Sequence, residues 1–242
     1  MDAQKKDAGL AALDEVESGM ILGLGTGSTV RHFLEALGAA LRNGELRDVR
    51  GVPTSEDTAT RARTLGIPLL ELHEAGSLDL AVDGTDEVTP SLDLIKGLGG
   101  ALLREKMVVQ AARRFVVIAD ASKRVERLGQ KAPLPVEVVS FGWQAHLSFL
   151  RSLGAEPRLR TLGLEPYRTD NGNFIVDLGF PDGIGDAAEL DRVLAFRAGV
   201  VDTGLFLGLA NRCYLATEAG VERMDVPDPG GPDLNGSKGR DG

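Results

Sequence analysis

Apolar positions along the chain recur with two periods, and the switches between them outline alternating helices and strands. Residues 2–17 place Leu10, Leu13 and Val16 at helical spacing, which predicts a helix with those three on its inner side. The apolar run 20–24 predicts a strand, and the spacing turns helical again over 30–41. Strands are predicted at 49–53, 67–72, 78–82 and 115–119. The first two flank a helix with Ser55 as N-cap and Asp57 in its first turn, ending near Gly66. A strand end at 92–95 leads into a helix over 101–113, with Leu103, Met107, Val108, Ala111 and Ala112 at helical spacing.

From Pro133 the rhythm changes. Strands at 134–139, 157–162, 173–180 and 200–207 alternate with helices at 141–153 and 187–197, with Gly154 stopping the first helix and Asp170-Asn171-Gly172 turning the chain. That order, β-α-β-β-α-β, is the split βαβ or ferredoxin-like arrangement, and Trp143 is expected to pack within it. A strand at 211–216 returns to the first sheet. The expected fold is therefore α/β: a Rossmann-like open, mainly parallel sheet domain (1–130 and 208–224) plus a smaller ferredoxin-like α+β domain (131–207). The Pro-, Gly- and Asp-rich stretch 225–242 predicts a disordered tail.

The totals narrow the function classes. The chain has 242 residues, 43% of them hydrophobic and 26% charged, an ordinary globular composition. No apolar run is long enough to span a bilayer, and the polar start lacks the apolar core of a signal peptide. The single cysteine, Cys213, forbids an internal disulfide and falls in a strand, where a buried thiol is expected. His32, His73 and His146 lack zinc-ligand spacing, so no metal is expected. A net charge of −9 disfavours an electrostatic nucleic-acid surface. These features point to a cytoplasmic protein of small molecules, with no nucleic-acid or membrane partner.

Candidate chemistry gathers after strands. Gly25-Thr26-Gly27-Ser28-Thr29 joins a strand to a helix N-terminus and suits an anion, with Thr26, Gly27, Ser28 and Thr29 as binders. It is a poor dinucleotide fingerprint, because Ser28 stands where the third glycine belongs, and it lacks the Gly-Lys-Ser/Thr of a P-loop. Asp83, Gly84, Thr85 and Asp86 follow the strand at 78–82, and Lys123 lies just past the strand at 115–119. Lys96, Gly97, Leu98, Gly99 and Gly100 precede a helix in which Glu105 sits one turn from the start, its side chain leaning back toward the glycines. Taken alone, Arg104-Glu105-Lys106 reads as a solvated charge run. In an open parallel sheet ligands lie beyond the carboxyl ends of the strands, and the coincidence of these motifs there favours a site. A carboxylate beside bare backbone N–H groups suits proton abstraction next to a carbonyl.

These motifs, with Leu134-Pro135-Val136-Glu137-Val138 and Thr169-Asp170-Asn171-Gly172-Asn173, resemble the motif set of type A ribose-5-phosphate isomerase, in order and spacing, over about residues 5–224. Thr85 and Leu98 depart from the family's usual Ala and Gly. The resemblance implies an aldose–ketose isomerase of the non-oxidative pentose phosphate pathway. It would interconvert D-ribose 5-phosphate and D-ribulose 5-phosphate through an enediolate, without a cofactor. It implies Glu105 as the base, with Lys96 and Asp83 in the catalytic group. Thr26, Gly27, Ser28, Thr29, Asp83, Gly84, Thr85, Asp86, Lys96, Gly97, Leu98, Gly99, Gly100 and Lys123 would bind the sugar phosphate. Gly99 and Gly100 N–H groups would stabilise the enediolate, and either Asp83 or Asp86 would move the hydroxyl proton. Lys5, near a lysine that some members use at the phosphate, is left unassigned. A homodimer or a dimer of dimers is the implied assembly. Two other readings stay open at this level: a coenzyme A transferase-like enzyme with Glu105 as nucleophile, and a sugar-phosphate sensor without chemistry.

Overall fold

The computed structural model describes residues 2–226. In chain order its elements begin α1 (Asp2–Leu13), β1 (Ile21–Leu24), α2 (Ser28–Asn43), β2 (Arg50–Pro53), α3 (Glu56–Thr64), α4 (Leu72–Ala75) and β3 (Leu80–Gly84). Then come β4 (Glu87–Val88), β5 (Leu94–Ile95), α5 (Leu102–Gln110), β6 (Phe115–Asp120), β7 (Leu134–Val138), α6 (Leu147–Ser152), β8 (Glu156–Leu159), β9 (Thr161–Leu162) and β10 (Glu165–Pro166). The chain continues through β11 (Phe174–Gly179), α7 (Ala187–Ala195), β12 (Val200–Thr203), β13 (Leu205–Phe206), β14 (Arg212–Thr217) and β15 (Gly220–Asp225).

The main sheet has the order β15-β14-β6-β3-β1-β2, parallel throughout except for β15. Its central strands are apolar on both faces, as helices on each side require, except for Asp83 and Asp120 near the carboxyl ends of β3 and β6. From β1 the chain steps outward to β2 and then returns to the other side of β1 for β3. The crevice between β1 and β3 is thus the topological switch point, where loops leave in opposite directions and open a cleft. The second sheet, order β12-β7-β11-β8, is antiparallel at every pairing and carries α6 and α7, the ferredoxin-like order. Leu134, Val136, Val138, Val176, Leu178, Leu150 and Leu194 form its core, with Trp143 packed against them.

Several local expectations are corrected. The helix at the N-terminus buries Ala8, Gly9 and Ala12, while Leu10 is 43% exposed, because small residues let α1 lie close on α2. The strand expected at 67–72 is only an isolated bridge, Gly51 to Leu69, followed by the single turn α4. The helix expected at 141–153 is a 3-10 turn, Trp143–His146, plus the short α6. The run 200–207 divides into β12 and β13, and a hairpin of β9 and β10 interrupts the region after Leu159. Strand β5 belongs to neither large sheet: it pairs antiparallel with β4 and β13 in a three-stranded sheet of its own. Asp225, assigned from the sequence to a disordered tail, closes strand β15; the tail from 227 onward lies outside the described residues. Among the described residues, no helix is long and apolar enough to cross a membrane.

Candidate active site

The site lies at the switch point and is assembled from four stretches. After β1 the chain turns through Gly25 into α2, whose N-cap, Gly27, offers no side-chain cap. The first-turn N–H groups of this 16-residue helix therefore stay available to an anion. Gly25 is required by proximity: a Cβ there would come within 2.2 Å of the Asp83 carboxylate on neighbouring β3. The Thr26 hydroxyl is turned away, into a cluster with Thr54, Ser55 and Thr58 at 2.8–3.1 Å that staples the turn to the start of α3. The Thr26 N–H donates to Asp83 Oδ1 at 3.0 Å, joining the two strand ends.

Asp83, Lys96 and Glu105 form a buried charge cluster, exposed by 1%, 2% and 4%. Lys96 Nζ lies 3.0 Å from Asp83 Oδ2 and 3.4 Å from Glu105 Oε2, and donates to Gly84 O at 2.6 Å. The two carboxylate oxygens sit at ion-pair distance but out of hydrogen-bond alignment, so neither is fully satisfied. Burial raises the Glu105 pKa to about 8, the Asp83 charge adds to the rise, and Lys96 opposes it. Burial likewise raises Asp83 above the ordinary carboxylate range against the pull of Lys96. For Lys96 burial works downward, but Asp83 and Glu105 together outweigh it and the ammonium is held above its usual pKa. The cluster thus keeps Lys96 charged and leaves Glu105 able to change protonation state near neutral pH.

Beside the cluster is a cavity of about 110 Å³ lined by Thr26, Gly27, Ser28, Thr29, Gly84, Thr85, Asp86, Lys96, Gly97, Gly99, Glu105, Lys123 and Lys5. Three sequence candidates do not line it. Asp83 stands behind Lys96, Leu98 points outward at 41% exposure, and Gly100 packs against Tyr167, where a Cβ would meet the phenol oxygen at 2.1 Å. The Gly100 N–H donates to Gly97 O at 2.9 Å, so it is not free to meet an oxyanion. The N–H groups of Gly97 and Gly99 have no partner among the described residues. The Thr85 hydroxyl donates to Glu87 O and Ile95 O, which makes it a loop brace. Asp86 Oδ2 accepts the Leu98 N–H at 2.9 Å.

Lys96 reaches the site differently from the sequence expectation. It leaves the small antiparallel sheet, while only the Thr26, Asp83 and Lys123 stretches follow parallel strands of the main sheet. At the mouth, Lys5 Nζ donates to Ser28 Oγ at 2.8 Å, and Lys123 makes no ion pair among the described residues. Lys5, unassigned from the sequence, is brought to Ser28 across 23 positions of the chain. Cys213 does not line the cavity but lies in a core cluster, where burial pushes its thiol up to about 12 and makes it inert.

Comparison with known proteins shows the family of the chain. The family model described as ribose 5-phosphate isomerase A (phosphoriboisomerase A) matches residues 50–220. A ribose-5-phosphate isomerase A of Deinococcus radiodurans is 49% identical over 224 residues, covering 93% of this chain and 98% of that protein. One of Roseiflexus castenholzii is 52% identical over 225 residues, covering 93% and 96%. Among solved structures, a D-ribose-5-phosphate isomerase in complex with phospho-erythronic acid superposes with a TM-score of 0.90 at 40% identity, over 92% of this chain and 98% of that one. The ribose 5-phosphate isomerase of Plasmodium falciparum gives 0.90 at 39%, over 93% and 99%.

Proposed function

The chain belongs to the ribose 5-phosphate isomerase A family, aldose–ketose isomerases that interconvert D-ribose 5-phosphate and D-ribulose 5-phosphate, and we propose that it does this chemistry with Glu105 as the base. The observation that carries the assignment is the buried Glu105 carboxylate, on the wall of a cavity rimmed by cations and helix N–H groups, with the Lys96 ammonium 3.4 Å away. The phosphate is assigned to the N-terminus of α2 and the hydroxyl of Ser28, with Lys5 and Lys123 supplying the positive charge.

In open-chain ribose 5-phosphate the C2 proton is acidified by the C1 aldehyde. Glu105 takes that proton, and the electron pair moves toward O1 to give an enediolate. Lys96 and the Gly99 N–H stabilise the developing charge, and Glu105 returns the proton to C1 while the C2 hydroxyl proton passes to O1. The products are a C2 ketone and a C1 alcohol, so no electrons leave the sugar. Asp86, which lines the cavity, is better placed to move the hydroxyl proton than Asp83, whose role is to hold Lys96 and raise the basicity of Glu105. Thr26, Gly27, Thr29, Gly84 and Gly97 shape the sugar subsite.

A coupled assay for ribulose 5-phosphate formation tests the proposal. Glu105→Gln is expected to lose about 10² to 10⁴-fold in kcat while still binding ribose 5-phosphate. Near-normal turnover in that variant rejects Glu105 as the base. Activity is expected to persist in EDTA, since Lys96 supplies the polarising charge. The division into a 1–130 and 208–224 unit and a 131–207 unit is proposed on the two sheets' separate cores. A homodimer or dimer of dimers is proposed from the family resemblance, with sedimentation equilibrium as its test.

A further inference from the structure

The glycine passage that carries Gly97 and Gly99 is gripped from outside by the second sheet. Arg160, between β8 and β9, donates through Nη1 to Gly97 O at 2.9 Å and to Leu98 O at 3.0 Å. Two further donors are held by Asp177 on β11, Nε to Oδ2 at 2.9 Å and Nη2 to Oδ1. The guanidinium also lies 5.8 Å from the Tyr167 ring, whose hydroxyl reaches Gly99 O at 3.5 Å. Arg160 is 63 and 62 residues from the carbonyls it holds.

In a trans peptide the carbonyl and the following N–H point in opposite directions. A group that fixes Gly97 O therefore fixes the Leu98 N–H on the far side, and that N–H is found on Asp86 Oδ2 at 2.9 Å. By the same geometry, fixing Leu98 O turns the Gly99 N–H away from Arg160 and toward the cavity that Gly99 lines, where no other group satisfies it. A cation on the carbonyl also polarises the peptide and strengthens its N–H as a donor. We propose that Arg160, braced by Asp177, is a positioning residue that aims the Gly99 N–H at the oxygen of the enediolate; this rests on the isomerase reading above. The second sheet thereby supplies part of the transition-state stabilisation while touching no substrate atom.

The test compares Arg160→Met, Arg160→Lys and Asp177→Asn with the wild-type protein. A donor that is misdirected rather than deleted is expected to lower kcat by about 10 to 100-fold, below the roughly 10² to 10³-fold seen for an outright loss. KM for ribose 5-phosphate should stay within about threefold, and the pH limb set by Glu105 should keep its position. Arg160→Lys should recover part of the rate, and Asp177→Asn, which leaves the guanidinium in place but loosened, should fall between. Affinity for phospho-erythronic acid, whose carboxylate bears charge where the enediolate does, should drop in proportion to kcat/KM. Variants that keep wild-type kcat within twofold overturn the proposal. So does a loss of rate in Arg160→Met matched by an equal loss of substrate affinity, with no recovery in Arg160→Lys. The wild-type rate alone reports on the isomerase reading, and the variant-to-wild-type ratios report on the clamp.

Discussion

Glu105 meets two opposed demands, since a base must be deprotonated to work yet is made stronger by a setting that resists its charge. With its pKa raised to about 8, kcat/KM is expected to climb as pH rises through that value and then level off, as a rate–pH profile will show. Stability should run the other way. Between the unfolded value of 4.5 and about 8 the native state holds the proton more tightly than the unfolded chain, so unfolding releases it and raising pH weakens the fold. Glu105→Gln removes that term. Its melting temperature is expected to gain on the wild type progressively from pH 5 to pH 8, and a constant difference across that range would contradict the shift. The residue's importance was legible from the sequence, because motifs after several strands converge on one edge. Its burial was not. Glu105 and Lys106 sit in a run of three charges that reads as helix surface, yet both are buried while Met107, assigned to the apolar face, is 49% exposed. Lys106 is accounted for by Asp202 at 2.6 Å, 96 residues away, a pairing that no local pattern announces.

Helix α1 shows the same limit at the level of elements. Its existence and the inward packing of Leu13 and Val16 follow from periodicity, but the exposure of Leu10 and the burial of Ala8, Gly9 and Ala12 do not, because the contact with α2 rests on size rather than apolarity. A Cβ on Gly9 would stand 2.9 Å from Phe33 N and 3.3 Å from His32 C, so α1 lies directly on the backbone of α2. At its far end Glu15 reaches Arg114, Arg212 and Tyr214; burial alone would raise its pKa, but these partners reverse the effect and lower it to about 2. The close contact matters to the site because α1 carries Lys5 to Ser28. Gly9→Ala gains about 1 kcal/mol of helix propensity and meets an overpacked backbone contact that costs about 1–3 kcal/mol. The clash is expected to win: urea denaturation should show a less stable protein, and KM for ribose 5-phosphate should rise as Lys5 is displaced. Greater stability with unchanged KM would mean that the helices separate freely. The two-residue strands β4 and β10 escaped the sequence reading, and β9 and β13 were merged into longer strands, because two residues are too few to show a period of their own.

On the scale of the whole molecule, two buried carboxylates take neutral donors in place of cations, Glu137 from side-chain hydroxyl and amide groups and Glu87 from backbone N–H groups. Glu137 on β7 accepts from Thr169, Asn171 and Asn173, fixing the turn whose Asp170 and Asn171 meet Arg104 and Glu56 beside the site. Glu87 on β4 is fully buried and accepts the N–H groups of Gly129 at 2.6 Å, Ala132 at 2.7 Å and Lys131, all in the segment that crosses from β6 to β7. Both Glu87 oxygens are occupied, which decides the outcome of Glu87→Gln. Whichever way the amide is turned, its NH₂ faces a backbone N–H, so at least one charge-assisted bond is lost and a buried donor is left unpaired. Hydrogen bonds to charged groups contribute about 1.5–3 kcal/mol each, and removing the buried charge itself offsets only part of that. A loss of about 2 kcal/mol is expected, which in a protein of this size lowers the melting temperature by roughly 4–8 °C. Glu87 does not line the cavity, so kcat at 25 °C should remain close to wild type. An unchanged melting temperature would mean that the crossing segment is held by its apolar contacts, Val125 and Leu128 against the second core, and not by the carboxylate.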